Sequence, residues 1–295
     1  MRVDAHHHLW QLDRRPQRWL DEPQLAAIRR DFTMAELAPA ARAAGVRRTV
    51  LVQVLPDLAE TREFLALAAA EPLIAGVVGW VDLTSPAIAD TLAALRAGPG
   101  GELLVGVRHL VQGEADPRWL CRPEVRRGLR AVGAAGLRYD LLTLPHQLPA
   151  AVETVRALPD QEFVLDHLSK PPVARGETQP WAGLLRELAR EPQMSCKLSG
   201  LVTEADPARW SVADLRPYAE TALDAFGPRR VMFGSDWPVC LTAADYGRVV
   251  HVAEELTAPL SPHERAEVFG GTALRTYRLA GPTGPGTRPG TGPGT

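Results

Sequence analysis

Cysteine is scarce in this chain of 295 residues, and none of it is paired in sequence. The three cysteines, Cys121, Cys196 and Cys240, are scattered, and no two of them form a Cys-x-x-Cys motif. An odd number of isolated cysteines argues against a disulfide framework and fits a reducing compartment. We therefore expect a cytoplasmic protein.

Long apolar runs and an excess of one charge are also missing. No apolar run approaches the roughly 20 residues of a membrane span, and the first residues lack the basic-then-apolar pattern of a secretory signal. Lys and Arg number 33 against 35 Asp and Glu, so the formal net charge is -2. This balance provides no whole-chain attraction to nucleic acid or to an anionic membrane. The sequence favours a protein that acts on a small molecule, and an oligomer is compatible with it.

What the sequence does contain is a repeated alternation of short apolar runs with helix-forming segments. The eight apolar runs are 2–8, 48–54, 74–83, 104–112, 137–144, 162–169, 194–201 and 230–238. Segments rich in Ala, Leu, Glu and Arg, such as 61–70 and 212–226, lie between them and favour helix. Eight strand–helix repeats predict a single-domain, distorted (β/α)₈ barrel over residues 1–280. A doubly wound open sheet is the main rival, but no Gly-rich phosphate loop follows the first run.

Two segments fall outside the repeat. Residues 10–30 are long and polar, carry Trp19 and Pro23, and are predicted to form a loop over the barrel mouth. Residues 281–295 contain only Gly, Pro, Thr and one Arg. Because these residues have no apolar surface to offset ordering entropy, we predict a disordered tail with no role in the fold.

Histidine and aspartate stand at several run ends, where a barrel of this type places its active site. In an extended strand, residues two apart share a face, so His6 and His8 are expected to present two imidazoles together, with His7 pointing away. His167 ends the sixth run and Asp236 the eighth. Taken by itself, His167 also fits a buried histidine of the core. Asp236, taken by itself, also fits the cap of a turn. Their convergence would build a metal site or a hydrolytic pocket.

Other polar and aromatic residues near the run ends are candidates for contacts with a substrate. Arg108 and Lys197 lie on apolar runs, where an unpaired charge is costly. An anionic or hydroxyl-rich substrate, or Asp236, would satisfy them. Trp10, Trp19, Trp80 and Trp237 suit stacking on a sugar ring or simple packing. His109 and His146 stay open between a site role and none, and Asp166 is expected to point away from the site as a structural residue.

These segments together resemble the amidohydrolase superfamily. The matching stretches are DAHHHLW (4–10), GVVGWVDL (76–83), GVRHLVQ (106–112), LDHLSKPP (165–172), KLSGL (197–201) and MFGSDWP (232–238). They occur in order over nearly the whole chain outside the tail. The resemblance is strongest to the sugar-lactonase branch, which includes proteins similar to L-fuconolactonase and L-rhamnono-γ-lactonase.

The resemblance implies that one site is built by residues from distant parts of the chain. The residues implied as its centre and as ligands of one divalent ion, Zn²⁺ by preference, are His6, His8, His167 and Asp236, and metal-free operation is the alternative. Asp236, with His167 beside it, would take the proton from the attacking water. The residues implied to hold or line the substrate are Arg108, His109, Lys197, Trp10, Trp80 and Trp237.

Two departures from the wider superfamily argue against a pair of metal ions. The fourth run offers Arg108 and His109 but no lysine to serve as a carboxylated bridge, and the fifth run ends in Tyr139 and Asp140 without a histidine. The leading functional hypothesis is hydrolysis of a small lactone with Asp236 as general base. A metal-dependent, non-oxidative decarboxylase of a small unsaturated or aromatic acid is the second hypothesis, and a non-catalytic ligand-binding barrel is the third.

Overall fold

Eight parallel strands form the centre of the protein, whose computed structural model describes residues 1–279. The strands are β1 (Arg2–His7), β2 (Val46–Val52), β3 (Ile74–Gly79), β4 (Leu104–His109), β5 (Arg138–Leu141), β6 (Phe163–Leu165), β7 (Met194–Leu198) and β8 (Val231–Phe233). Each strand pairs with the next one along the chain, in the order β1 to β8. The predicted (β/α)₈ barrel is confirmed, and the doubly wound sheet, whose strand order reverses at a switch point, is wrong.

The barrel closes through hydrogen bonds between the end of β1 and the segment that follows β8. The Asp236 N–H donates to the His6 carbonyl at 2.9 Å, and the His8 N–H donates to the Trp237 carbonyl at 2.7 Å. Closure therefore brings the first and last predicted site segments side by side.

Helices form the outer layer of the barrel. They are α1 (Met34–Ala43), α2 (Leu58–Ala70), α3 (Ile88–Ala97), α4 (Pro123–Ala134), α5 (Leu148–Arg156), α6 (Trp181–Ala189), α7 (Val212–Phe226), α8 (Tyr246–Leu256), α9 (Pro262–Ala266) and α10 (Thr272–Thr276). In α4, Val125, Leu129 and Val132 recur at helical spacing, and all three are fully buried. The main apolar core thus lies between the sheet and the helices.

The inside of the barrel changes from apolar to charged along its axis. The inner apolar cluster includes Val3, Ala5, Val50, Val164 and Met232, and Ala273 and Tyr277 near the end of the described chain pack against it. Charged side chains that are at most 3% exposed also lie among the strands and their ends, and they include Arg108, Asp140, Asp166 and Lys197. Burial without pairing would be costly for each of them, so their partners are central to the site described below.

The strands end earlier than the apolar runs predicted. The sixth run extends to residue 169, but β6 stops at Leu165 because residues 167–170 adopt the left-handed backbone conformation, with φ of 51° at His167. Asp236 has φ of 57°, and β8 stops at Phe233. Register shifts between β1, β2 and β3 add to the predicted distortion. Left-handed residues are not apparent from composition, so the sequence did not show where these two strands end.

The segment 10–30 covers the barrel mouth as predicted, and it contains two short 3₁₀ helices, Arg18–Asp21 and Pro23–Ile28. The predicted tail, residues 281–295, lies outside the described residues. Among residues 1–279, no helix has both the length and the apolar character needed to cross a bilayer.

Glu60, in the first turn of α2, holds the turn that follows β2. Its Oε2 accepts the N–H groups of Val54 and Leu55 at 2.8 and 3.0 Å. The side chain is buried, and burial raises the pKa of Glu60 to about 7 from an ordinary value of 4.5. An ionised Glu60 is therefore disfavoured in the folded state, so its contribution to stability is complete below pH 4.5 and is lost as the pH rises through about 7.

We predict that Glu60→Gln flattens the pH dependence of the unfolding free energy. The wild-type protein should lose on the order of 3 kcal/mol between pH 4.5 and pH 8 through this one group, and the variant should not. Urea unfolding at the two pH values measures the difference. Glu63→Gln, an exposed position on the same helix, is the control and should keep the wild-type slope. An unchanged slope in Glu60→Gln would contradict the assignment.

Candidate active site

His6 and His8 meet at the carboxyl end of β1, as their spacing predicted. Their Nε2 atoms lie 3.1 Å apart. His7 points away, and its Nε2 lies 3.0 Å from the Thr49 hydroxyl. A pairing irregularity between Asp4 and His7 interrupts the strand here. Ala5 packs in the inner apolar cluster while His6 joins the charged residues.

His167, which follows β6, and Asp236, which follows β8 beside β1, reach the same point. Each has a left-handed backbone, which is uncommon for residues other than glycine. The ring of His167 stands 4.4 Å from that of His6, centroid to centroid. Asp236 Oδ1 lies 3.7, 3.5 and 3.8 Å from the Nε2 atoms of His6, His8 and His167, respectively. The predicted convergence of these four side chains is what the structure shows.

The spacing of these atoms fits one small divalent cation. Ligand atoms of His6, His167 and Asp236 all lie within 4.8 Å of one another, and His8 Nε2 is close to two of them. Four ligands at Zn–N distances of about 2.0–2.1 Å on a tetrahedron stand about 3.4 Å apart. The measured separations around Asp236 Oδ1 are close to this value.

The protonation states also suit a metal site or a proton acceptor. Burial lowers the pKa of His8, and it lowers the pKa of His167 to about 4, so both imidazoles are neutral at neutral pH. Burial alone would raise the pKa of Asp236, but the surrounding imidazoles, His167 first, outweigh it and hold the pKa below its ordinary value. Asp236 is therefore a carboxylate among neutral rings.

Arg108, on β4, is held in place by two residues whose roles the sequence analysis missed. Its Nε and Nη2 donate to Gln53 Oε1 at 3.1 and 2.9 Å, and Nη2 also donates to the Gln53 carbonyl. Its Nη1 donates to Asp166 Oδ2 at 3.0 Å and lies 3.3 Å from His6 Nε2. The prediction that Asp166 points away from the site was wrong, because the backbone turns left-handed immediately after it.

Lys197, predicted to line the pocket, lies beneath it instead. It is fully buried, and its Nζ contacts Asp140 at 2.6 Å, Asp166 at 2.9 Å and His6 Nδ1 at 3.1 Å. The Tyr277 hydroxyl donates to the same Asp140 oxygen. Alternation along the fifth run, with Tyr139 facing the helices, was a signal that Asp140 faces inward. Lys197 therefore supports the site from within the barrel rather than contacting substrate.

Above this support, a cavity of about 780 Å³ opens at the barrel mouth. Its floor includes His8, Arg108, His167 and Asp236, and its walls include Trp19, Gln112, Lys170 and Glu204. Loop 10–30 provides one side, through residues such as Pro16 and Leu25. Trp19 was one of the four tryptophans considered for stacking on a sugar ring, and it lies in the cavity wall. Gln112, Lys170 and Glu204 were not assigned to the site from sequence, because loops carry no periodicity that predicts where they fold.

Five aromatic or histidine candidates lie away from this cavity, as the described residues define it. Four of them, Trp10, Trp80, Trp237 and His109, were predicted to line the pocket, and their positions contradict that role. Trp10 lines a separate cavity behind loop 10–30, and Trp237 packs on Phe32. Trp80 donates to His109 Nδ1 at 3.1 Å. His109 stacks on Trp119, and His146 is exposed to solvent. Their alternative role as packing or surface residues is the one their positions support.

A (β/α)₈ barrel with imidazoles and a carboxylate gathered at its carboxyl edge defines a barrel enzyme. Residues 3–279 match the family described as Amidohydrolase, and the chain belongs to this family. An L-fucono-1,5-lactonase of Burkholderia ambifaria is 40% identical over 288 residues, which is 96% of this chain and 97% of that protein. The family resemblance inferred from the motifs is confirmed.

Solved structures agree with this assignment. An amidohydrolase of Burkholderia multivorans has been crystallised with bound zinc in one form and with bound HEPES in another. The two forms are 39% and 38% identical to this chain, with a TM-score of 0.88, and the match covers 95% of this chain and 100% of theirs. A 5-carboxyvanillate decarboxylase of Sphingomonas paucimobilis reaches a TM-score of 0.64 at 16% identity over 95% of this chain and 99% of that one. That likeness shows the fold alone.

Gly200, after β7, gives His167 the room it needs. Its φ is 69°, and a Cβ added there would stand 2.8 Å from His167 Nδ1. The same imidazole nitrogen lies 2.9 Å from the Ser199 hydroxyl. A side chain at residue 200 would therefore displace the ring.

We predict that Gly200→Ala lowers turnover by roughly 100-fold, because displacing a site group by about 1 Å has effects of this size. Gly136→Ala is the matched control, since Gly136 has φ of 71° and nothing within 4 Å of an added Cβ. Both variants should lose about 1–2 kcal/mol of stability through the left-handed backbone. Steady-state kinetics and thermal unfolding separate the two effects, and equal activities would refute the steric argument.

Proposed function

We propose that this protein hydrolyses a small sugar lactone of the L-fucono-1,5-lactone type to its hydroxy acid. The observation that carries the proposal is a carboxylate, Asp236, held ionised on the floor of a cavity beside the guanidinium of Arg108. A base and a fixed positive charge are the two components that ester hydrolysis needs. The 40% identity to a named L-fucono-1,5-lactonase over nearly the full chain supports the same reaction.

Asp236 acts as the general base in this mechanism. Water attacks the lactone carbonyl and gives its proton to the carboxylate, which then returns a proton to the departing ring oxygen. His167, whose Nε2 lies 3.8 Å from Asp236 Oδ1, stands beside this transfer. Since a base of this kind contributes roughly 10²- to 10⁴-fold, Asp236 dominates the chemical step.

Arg108 stabilises the negative charge that develops on the carbonyl oxygen. Gln53 and Asp166 hold the guanidinium in a fixed orientation, so little reorganisation is needed during the reaction. The N–H groups of Arg108 already face Gln53, Asp166 and His6, so the guanidinium acts through its fixed positive charge.

One zinc ion fits the same centre, held by His6, His8, His167 and Asp236. When bound, such an ion polarises the substrate carbonyl and increases the acidity of water. A B. multivorans relative that is 39% identical to this chain has been crystallised with bound zinc, which supports zinc as the ion. Asp236 and Arg108 keep their roles with or without the ion.

The cavity walls suit a small molecule with both apolar and hydroxyl faces. Leu25, Leu110 and Leu142 provide apolar surface on the walls. Gln112 Oε1, also in the wall, is buried and accepts no hydrogen bond from the described residues. Lys170 and Glu204 form an ion pair of 3.6 Å at the same cavity. A sugar hydroxyl is the partner that Gln112 lacks.

We predict that Asp236→Asn lowers kcat on L-fucono-1,5-lactone by roughly 10²- to 10⁴-fold without loss of fold. Asparagine tolerates the left-handed backbone at this position and keeps the N–H bond to His6. Acid release in a pH-indicator assay measures the rate, and the absence of CO₂ separates hydrolysis from decarboxylation. Asp206→Asn, a partly exposed position with 37% of its side chain accessible, is the control. Wild-type activity in Asp236→Asn would rule out its role as the base.

We further predict one equivalent of bound Zn²⁺ per chain after dialysis against the metal. His167 is one of four converging ligands, so His167→Asn should weaken zinc binding by roughly 100-fold or more. Losing a group that only hydrogen-bonds to a metal ligand has a smaller effect. Isothermal titration with zinc gives the stoichiometry and the affinity. Exposed His251, with 60% of its side chain accessible, supplies the control variant His251→Asn. Two equivalents, or unchanged affinity in His167→Asn, would contradict the mononuclear site.

A further inference from the structure

We propose that Asp4, oriented by Tyr246, is a positioning residue that closes the seam of the barrel and holds the backbone of Asp236 in the conformation that directs its carboxylate to the imidazoles. The effect on turnover rests on the proposed function. The effect on the position of Asp236 does not.

Asp4 lies on the outward face of β1, between the sheet and the helices. Its neighbours Val3 and Ala5 pack in the inner apolar cluster, so the Asp4 side chain points the other way and contacts Tyr246 of α8. Asp4 is fully buried. A carboxyl group in such a place is destabilising unless donors satisfy its oxygens, and the proposed hydrolysis makes no use of it.

The two oxygens of Asp4 accept three hydrogen bonds from three parts of the chain. Oδ1 accepts the N–H groups of His6 at 3.1 Å and of Ser235 at 2.8 Å. Oδ2 accepts the Tyr246 hydroxyl at 3.0 Å. The strand β1, the segment that follows β8 and the helix α8 therefore meet at one carboxyl group.

These bonds lie at the seam of the barrel, where its ladder is irregular. From β1 to β8 each strand pairs with the next, but among the described residues the bridge between the two ends of the sheet is an isolated one, between His7 and Trp237. The register of β1 also shifts between Asp4 and His7. Buried N–H groups at such irregularities still need acceptors, and Asp4 Oδ1 supplies one to His6 and Ser235.

Asp236 lies within the turn that Asp4 anchors. The Ser235 N–H binds Asp4, and the N–H of Asp236 itself donates to the His6 carbonyl at 2.9 Å. The Ser235 hydroxyl accepts the Trp237 N–H at 3.1 Å. Three consecutive N–H groups are thus fixed around a residue whose φ is 57°. Because a left-handed residue persists only where its surroundings hold it, loss of the Asp4 acceptor should let this turn relax and move the Asp236 carboxylate.

The acceptor oxygens of Asp4, rather than its charge, carry this role. An asparagine side chain has nearly the same shape, and its carbonyl oxygen accepts the same two N–H groups. Its NH₂ group donates to the Tyr246 oxygen, since a hydroxyl accepts as well as donates. Asp4→Asn therefore keeps all three links, whereas Asp4→Ala removes them.

The first experiment locates Asp236 in crystals of the two variants. Asp236 Oδ1 lies 3.5 Å from His8 Nε2 in the wild-type protein. We expect Asp4→Ala to displace this carboxylate by about 1 Å, which is enough to lower a rate by roughly 100-fold, and Asp4→Asn to leave it in place. An undisplaced Asp236 in the Asp4→Ala protein would overturn the proposal, whatever the protein hydrolyses.

The second experiment measures the turnover of L-fucono-1,5-lactone. Asp4→Ala should lower kcat by roughly 10- to 100-fold and leave KM nearly unchanged, because Arg108 and the cavity walls keep their own contacts. A residue that only stabilises the fold would lower the unfolding temperature without changing kcat of the folded protein. Asp4→Asn should restore kcat close to the wild-type value. An asparagine variant as slow as the alanine variant would show that the charge matters and refute the role of the acceptor.

A milder pair of variants tests the proposal if Asp4→Ala does not fold. Tyr246→Phe removes the hydroxyl that orients Asp4, and it should lower kcat by roughly 10-fold. Tyr218→Phe is the matched control, because the Tyr218 hydroxyl donates to the carbonyls of Glu177 and Pro172 and has no bond to Asp4. It should keep the wild-type kcat, and equal values in the two variants would contradict the proposal.

The outcomes also separate this proposal from the proposed function. If no lactone is hydrolysed but Asp236 is displaced in Asp4→Ala and not in Asp4→Asn, the proposed function fails and the role of Asp4 stands. If lactones are hydrolysed and Asp4→Ala keeps both the wild-type kcat and the wild-type position of Asp236, the role of Asp4 alone is refuted.

Discussion

The structure depends on the pairing of charges that the barrel buries near its carboxyl end. Arg108 and Lys197 would each be strongly destabilising alone, because removing a charge from water is costly unless partners compensate. Asp166 contacts both cations, and Asp140 adds a second carboxylate at Lys197. Each ion pair that satisfies one of these cations also fixes the positions of the two side chains that form it. The requirement to pair these charges therefore aligns strands β4, β5, β6 and β7 beneath the site.

The same network connects the stability of the fold to the chemistry above it. His6 lies at the boundary, with Nδ1 against Lys197 below and Nε2 facing Asp236 and His8 above. Closure of the barrel adds the bond from the Asp236 N–H to the His6 carbonyl. The left-handed residues His167 and Asp236 carry conformational cost that the surrounding packing must offset. Strain in this fold is thus concentrated where the reacting groups lie.

Neutral imidazoles, one ionised carboxylate and one fixed guanidinium lie together on the cavity floor, and the proposed hydrolysis uses them to transfer a proton and to stabilise negative charge. The barrel supplies rigidity, and loop 10–30 supplies one wall of the cavity. Two solved structures with decarboxylase names share this barrel at 14% and 16% identity, and a shared fold alone does not determine the reaction. The 40% identity to a lactonase over nearly the full chain distinguishes this chain from them.

The sequence by itself determined the eight strands, the order of their helices and the four side chains at the centre, because alternation and strand-end position are local properties of the chain. It did not determine which polar residues reach the cavity. Lys197 was expected at the substrate and Asp166 away from it. The expectation for Asp166 failed because period-two alternation ends where the backbone turns left-handed at residue 167. Trp80 and His109 bind each other, and Gln53 holds Arg108. Only the tertiary structure decided these partners, because a buried polar group bonds to whatever donor or acceptor the closed barrel brings within reach, at any distance along the chain.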